Sequence, residues 1–172
     1  MQVKRKHVYV GCRANINRSF ILEQILRDKI NKASLPIDIR SGGVMLAEGL
    51  PNMAYYPQGI IEFILALQKM ELDFIIPSIR QHRAHAFTIA DIQNAHLIMT
   101  MTRKQRDHLK QYAPPTTKII MLSQLHDMAH EEDIFDAMQE RRISVEAFVR
   151  QIAQIQFYLD LEKLKTLLEI AD

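Results

Sequence analysis

His7-Val8-Tyr9-Val10-Gly11-Cys12-Arg13-Ala14-Asn15-Ile16-Asn17-Arg18-Ser19 is the stretch on which the reading of this chain turns. His7 to Gly11 is a run of β-branched and aromatic residues stopped by a glycine, which predicts a short strand. From Ser19 onward the apolar residues Phe20, Ile21, Leu22, Ile25, Leu26 and Ile30 recur at helical spacing, leaving Glu23, Gln24, Arg27, Asp28 and Lys29 for solvent. Between strand and helix lies the loop from Cys12 to Ser19.

A loop in that place has a chemical logic. Its turn can aim successive backbone N–H groups at one point as an anion cradle, and the helix N-terminus adds partial positive charge. Arg18 has the planar fork that grips two phosphate oxygens at once, which lysine lacks. The same field favours thiolate over thiol, so Cys12 reads as a nucleophile, with Ser19 placed to hydrogen-bond its sulfur. Arg13, Ala14, Asn15, Ile16, Asn17, Arg18 and Ser19 are therefore expected to bind phosphate. The bland alternative makes Cys12 a buried apolar residue at a strand end and Arg18 a surface helix residue. The strand before, the helix after, the serine after Arg18 and the lack of a competing cysteine favour the chemical reading.

Outward from the loop, Ile37 to Arg40 predicts a second strand, ended by Ser41-Gly42-Gly43. Leu46 to Pro57 reads as irregular and Gln58 to about Met70 as a helix, while Leu72 to Ile76 fits either element. Thr88-Ile89-Ala90-Asp91 is a capping signal for a short helix, and His96 to Met101 is an apolar strand. Thr102 with Gln105 opens a further helix, which Pro114-Pro115 closes, and Lys118 to Leu122 gives a fourth strand. Ser144 caps a long final helix striped by Val145, Phe148, Val149, Ile152, Ile155, Leu159 and later leucines. Strands alternating with helices predict an α/β fold, a single doubly wound domain over residues 1–172 with a four-stranded parallel sheet flanked by helices on both faces. Ligands in such folds collect beyond the carboxyl ends of strands, where the Cys12 loop lies.

Bulk properties narrow the function. At 48% hydrophobic and 24% charged residues the chain has the balance of a soluble globular protein. A net charge of +2, with Lys and Arg scattered among acids, argues against a nucleic-acid partner, and Lys4-Arg5-Lys6 reads as a solvated lead-in. One cysteine permits no intramolecular disulfide, and no apolar run reaches the length of a membrane span or a signal region. The expected location is cytoplasmic, with no membrane partner.

The residues quoted above resemble the low-molecular-weight protein tyrosine phosphatase family, whose loop reads Cys-x-Gly-Asn-x-Cys-Arg-Ser after an N-terminal strand. Cys12, Asn15, Arg18 and Ser19 occupy those places. Ser41-Gly42-Gly43, His82-Arg83-Ala84 and Ala95 to Thr102 resemble further family segments in the right order, so the likeness spans most of the chain. It implies that Asn15 organises the loop, that Ser19, Ser41 and His82 support it, and that no metal or cofactor is needed. It also implies a substrate that is a phosphorylated protein, chiefly at tyrosine, or a small aryl phosphate. Aligning Asp133-Ile134-Phe135-Asp136-Ala137-Met138 on the family's Asp-Pro-aromatic segment makes Asp136 the general acid, with Asp133 the alternative.

Four positions depart from the pattern: Ala14 stands for glycine, Asn17 for cysteine, Ala137 for proline and Met138 for an aromatic. Alanine at position 14 predicts either some backbone strain or a slightly different loop, and without a second thiol Cys12 has no partner for a protective disulfide. These departures keep a phosphate binder without turnover as an alternative. Thioredoxin-linked arsenate reductases share the fold but need further cysteines. An arginine-phosphate phosphatase is nearer, although that branch carries threonine where this chain has Ile16. Tyr55 and Tyr56 are candidates for the pocket mouth. His126 and His130, among acids, are read as a solvated loop in preference to a metal site.

Overall fold

Val8, Val10 and Cys12 belong to one apolar cluster and Tyr9 to another, so the alternation along strand β1 (Lys6–Cys12) sets it between two layers. The structure, a computed structural model, describes residues 4–44, 53, 56 and 59–170. After β1 come α1 (Arg18–Lys32), β2 (Ile37–Gly43), α2 (Ile60–Lys69), a 3₁₀ turn (Asp73–Ile75) running into α3 (Ile76–Ile79), and α4 (Ile89–Asn94). Then follow β3 (Leu97–Thr100), α5 (Arg103–Lys110), β4 (Lys118–Met121), α6 (Leu122–His126), a 3₁₀ turn (Ala137–Gln139), α7 (Val145–Tyr158) and α8 (Leu161–Leu168).

All strand pairings are parallel, in the order β2-β1-β3-β4, and parallel neighbours require the helical crossovers that the chain supplies. The larger core joins Val8, Val10, Leu97, Met99 and Ile120 to Phe20, Leu26, Phe63, Phe148, Ile152 and Leu164 of α1, α2, α7 and α8. On the opposite face Tyr9, Ile98 and Ile119 meet Ile92 of α4 and Leu109 of α5. This is the expected α/β sheet with helices on both faces. The expected caps also form: Thr88, Thr102 and Ser144 side chains accept from Asp91 N at 3.1 Å, Gln105 N at 3.2 Å and Ala147 N at 3.1 Å.

Several boundaries differ from the sequence reading. Strand β2 does not stop at Arg40 but runs through Ser41, Gly42 and Gly43, which pair with Val10, Gly11 and Cys12. The Phe87 ring lies over Gly42 and Gly11, and a Cβ on Gly42 would fall 2.4 Å from Phe87 Cδ1. Gly43 also accepts from Phe87 N at 3.0 Å and donates to His85 O at 2.6 Å, bringing the His82–Phe87 segment to the sheet's carboxyl end. Leu72 to Ile76 is helical, and its Ile75 is fully buried. Leu122 opens α6, which the sequence did not announce, instead of ending the fourth strand. The expected single final helix breaks after Tyr158, where Asp160 caps a second helix by accepting from Lys163 N at 3.0 Å. Residues 46–52, 54, 55, 57 and 58 of the expected irregular segment and helix start lie outside the described residues.

Gly42→Ala forces the Phe87 ring off the sheet and should lower unfolding free energy by about 1–3 kcal/mol, the usual range for overpacking. Urea unfolding measures this, and adding Phe87→Leu should recover part of the loss.

Candidate active site

The Cys12–Ser19 loop closes on itself at Asn15. Asn15 has a positive φ of 53°, a left-handed conformation that asparagine tolerates better than most residues. Ala14 is not among the residues with positive φ, so of the two expectations at this position, strain or a different loop, the backbone shows no strained φ at Ala14. The reversal falls one residue later, and Gly43 leaves room for it: a Cβ there would lie 3.3 Å from Arg13 O and 3.4 Å from Ala14 C.

Three contacts hold Asn15. Ser19 Oγ donates to its Oδ1 at 3.0 Å, His82 Nε2 donates to its carbonyl at 2.6 Å, and its Nδ2 lies 3.4 Å from His85 Nδ1. Cys12 Sγ lies 3.1 Å from the same Ser19 hydroxyl, and the residue is 4% exposed. Asn15 and Ser19 are fully buried and brace the loop from behind. Cys12, Arg13, Ala14, Ile16, Asn17 and Arg18 face a cavity of about 270 Å³, which Tyr56, Asp136, Met138 and Gln139 complete. Tyr55 lies outside the described residues.

The Arg18 side chain, 7% exposed, crosses from the loop to the segment before α7. Its Nη1 donates to Ile134 O at 3.0 Å and its Nη2 meets Asp136 Oδ2 at 2.7 Å, two contacts for a guanidinium that carries five N–H donors. Asp136 Oδ1 accepts from Met138 N at 3.1 Å and caps the turn Ala137–Gln139. Asp133 does not share the Cys12 cavity, since its Oδ1 accepts from Arg103 N at 2.8 Å at the start of α5.

Two other residues of the sequence reading are bonded to side chains of helices α1 and α7. Ser41 Oγ donates to Glu23 Oε2 at 2.5 Å and so fastens α1 to β2. Asn17 Oδ1 accepts from Gln151 Nε2 at 2.6 Å. Gln151 and Gln139 were not singled out from the sequence. Gln151 left a signal, a polar residue on the stripe of Phe148, Ile152 and Ile155 that α7 buries. His126 stacks against Phe157, and His130 is bonded to Tyr158 and Glu132. Among the described residues no cluster of three or more His, Cys, Asp or Glu is placed to hold a metal ion.

Burial holds His82 below its ordinary value of 6.5, against the opposing pull of the bond to Asn15 O. The folded chain then binds fewer protons here than the unfolded chain as pH falls through 6.5, so folding stability drops on acidification and returns as pH rises. His82→Gln should flatten that part of the stability profile, measured as the difference between the two proteins in urea unfolding from pH 5 to pH 8 in steps about the ordinary imidazole range.

No protein-family model and no curated protein matches the chain by sequence. Solved structures do match it in shape. A low molecular weight phosphotyrosine phosphatase from Vibrio cholerae O395 is 24% identical, with a TM-score of 0.70 over 94% of this chain and 95% of that one. A low molecular weight protein tyrosine phosphatase from T. tengcongensis is 21% identical, with a TM-score of 0.72 over 94% and 98%. The YwlE arginine phosphatase, solved with a phosphorylated active-site serine, is 16% identical, with a TM-score of 0.71 over 95% of each chain. The chain thus has the fold of the low molecular weight protein tyrosine phosphatases, with Cys12 at the end of its first strand.

Proposed function

We propose that this chain is a member of that phosphatase family and hydrolyses phosphomonoesters, phosphotyrosine in proteins above all, through a cysteinyl-phosphate on Cys12. The observation that carries this reading is that Cys12, Arg18 and Asp136 line one cavity, contributed by segments 116 residues or more apart in the case of Arg18 and its Ile134 contact. Ile16, Tyr56 and Met138 give the cavity apolar walls, which suit an aryl group.

In the first step the Cys12 thiolate attacks phosphorus in line, an S–P bond forms and the P–O bond to the leaving group breaks. Arg18 and the loop N–H groups hold the non-bridging oxygens as their charge shifts. Asp136 gives its proton to the departing oxygen. In the second step the Asp136 carboxylate takes a proton from water, the water oxygen attacks phosphorus, and the S–P bond breaks to release inorganic phosphate and the thiolate. The Ser19 hydroxyl, within reach of both Sγ and Asn15 Oδ1, can turn its single hydrogen toward the sulfur when the thiolate is present.

Phenyl phosphate, phosphotyrosine peptide and phosphoarginine are the substrates to compare. Cys12→Ser should abolish turnover. Asp136→Asn, which keeps an oxygen for Arg18 but carries no acidic proton, should lower kcat on phenyl phosphate by about 10²–10⁴-fold. Arg18→Lys should raise KM and lower kcat together, because a point charge replaces the fork. A wild type that binds vanadate without turnover would make the chain a phosphate binder, preference for phosphoarginine would move it to the arginine-directed reading, and loss of activity in Asp133→Asn but not Asp136→Asn would reassign the acid.

A further inference from the structure

Asparagine is a residue type that caps helices, yet the Asn17 side chain makes no capping bond to α1, the helix that starts after it. Its carboxamide is committed elsewhere. Asn17 Oδ1 accepts from Gln151 Nε2 at 2.6 Å, and Gln151 Oε1 accepts from Ala137 N at 2.9 Å. Gln151 and Ala137 are fully buried and Asn17 nearly so. A buried amide without partners is costly, so both bonds are held by the same apolar surroundings that would punish their loss.

The peptide unit that Gln151 grips joins Asp136 to Ala137. Fixing the Ala137 N–H fixes ψ of Asp136, and with it the direction in which the carboxyl group leaves the backbone. Asp136 sits at φ −112° and ψ 101°, and its two carboxylate oxygens are taken by Met138 N and Arg18. The other end of the relay is the side chain of Asn17, a residue of the loop proposed to hold phosphate.

We propose that Gln151 is a positioning residue for proton transfer, tying the aim of Asp136 to the loop that holds the phosphate through the Asn17–Gln151–Ala137 relay. This deepens the phosphatase reading and rests on it. The geometry also names a substitute for the bond. Ala137 opens its turn and follows an extended residue, the setting in which proline is tolerated and in which its ring fixes φ without an N–H.

The dependence on a proton donor grows as the leaving group becomes more basic, so phenyl phosphate needs Asp136 more than 4-nitrophenyl phosphate does. Gln151→Met should reduce kcat/KM on phenyl phosphate about tenfold more than on 4-nitrophenyl phosphate. That bias should vanish in an Asp136→Asn background, where no proton remains to be aimed, and should shrink when Ala137→Pro is added to Gln151→Met. Asn17→Ala cuts the relay at its other end and should give the same bias, so the outcome does not hang on one variant folding. Amide exchange at Ala137 should quicken in Gln151→Met while the rest of α7 keeps its protection. Equal losses on the two esters, losses that add to those of Asp136→Asn, or unchanged Ala137 exchange would overturn the proposal. If wild type cleaves neither ester, the phosphatase reading fails, and Ala137 exchange alone then decides whether the relay holds this turn.

Discussion

A left-handed turn at a single asparagine sets the geometry of the site. Asn15 at φ 53° turns the chain between the end of β1 and the start of α1. For a residue other than glycine such a backbone costs on the order of 1 kcal/mol and persists only where its surroundings determine it. Ser19 from the following helix and His82 from the distant 82–87 segment do so, one on the side chain and one on the carbonyl. His82 is in turn packed on Phe20 of α1, with ring centroids 4.5 Å apart. The loop conformation is therefore held both by a local brace from Ser19 and by the distant His82.

The second constraint is the nearly buried guanidinium of Arg18. A charge so placed needs partners, and removing one leaves the other exposed to the full desolvation cost. Ile134 O and Asp136 satisfy it here, so Asp136 balances Arg18 as a carboxylate and can act as the proposed proton donor only after phosphate takes its place on Arg18 and the carboxyl group is protonated. Alanine at 136 would remove the charge, the proton and the oxygen that Arg18 uses, whereas asparagine keeps an acceptor oxygen without the charge or the proton. The segment carrying Asp136 is thus joined to the Cys12–Ser19 loop twice, by an ion pair through Arg18 and by a neutral relay through Gln151.

What was legible in the sequence is what local chemistry determines. Alternating Val8, Tyr9 and Val10 declare a strand because each face of the sheet is buried, and Thr88, Thr102 and Ser144 declare helix starts because their oxygens satisfy nearby amides. Cys12, Arg18 and Asp136 were found from loop chemistry and resemblance, and they do meet in one cavity. The rest depended on partners far along the chain. Gly42 and Gly43 looked like a strand stop, but they continue β2, with the distant Phe87 ring packed on Gly42 and the Phe87 N–H bonded to the Gly43 carbonyl. Leu159 kept the apolar stripe of α7 while Asp160 ended it, since a cap at 160 outweighs continuing periodicity. Ser41 bonds to Glu23, an acid that helical periodicity had assigned to solvent and that the fold buries.

The departures at Asn17 and Ala137 look independent in sequence and are not independent in structure. Alanine at 137 supplies an N–H that proline would lack, and asparagine at 17 supplies an oxygen that a thiol would replace with a weak acceptor. Gln151 uses both, and a glutamine buried among Phe148, Ile152 and Ile155 is tolerable only because it uses both. The three residues therefore form one unit: restoring cysteine at 17 alone would give Cys12 a neighbouring thiol but strip Gln151 of its acceptor. The same unit that ties the acid segment to the loop thus leaves Cys12 without a resolving cysteine, so a sulfenic acid formed on it has no second thiol in this chain with which to condense.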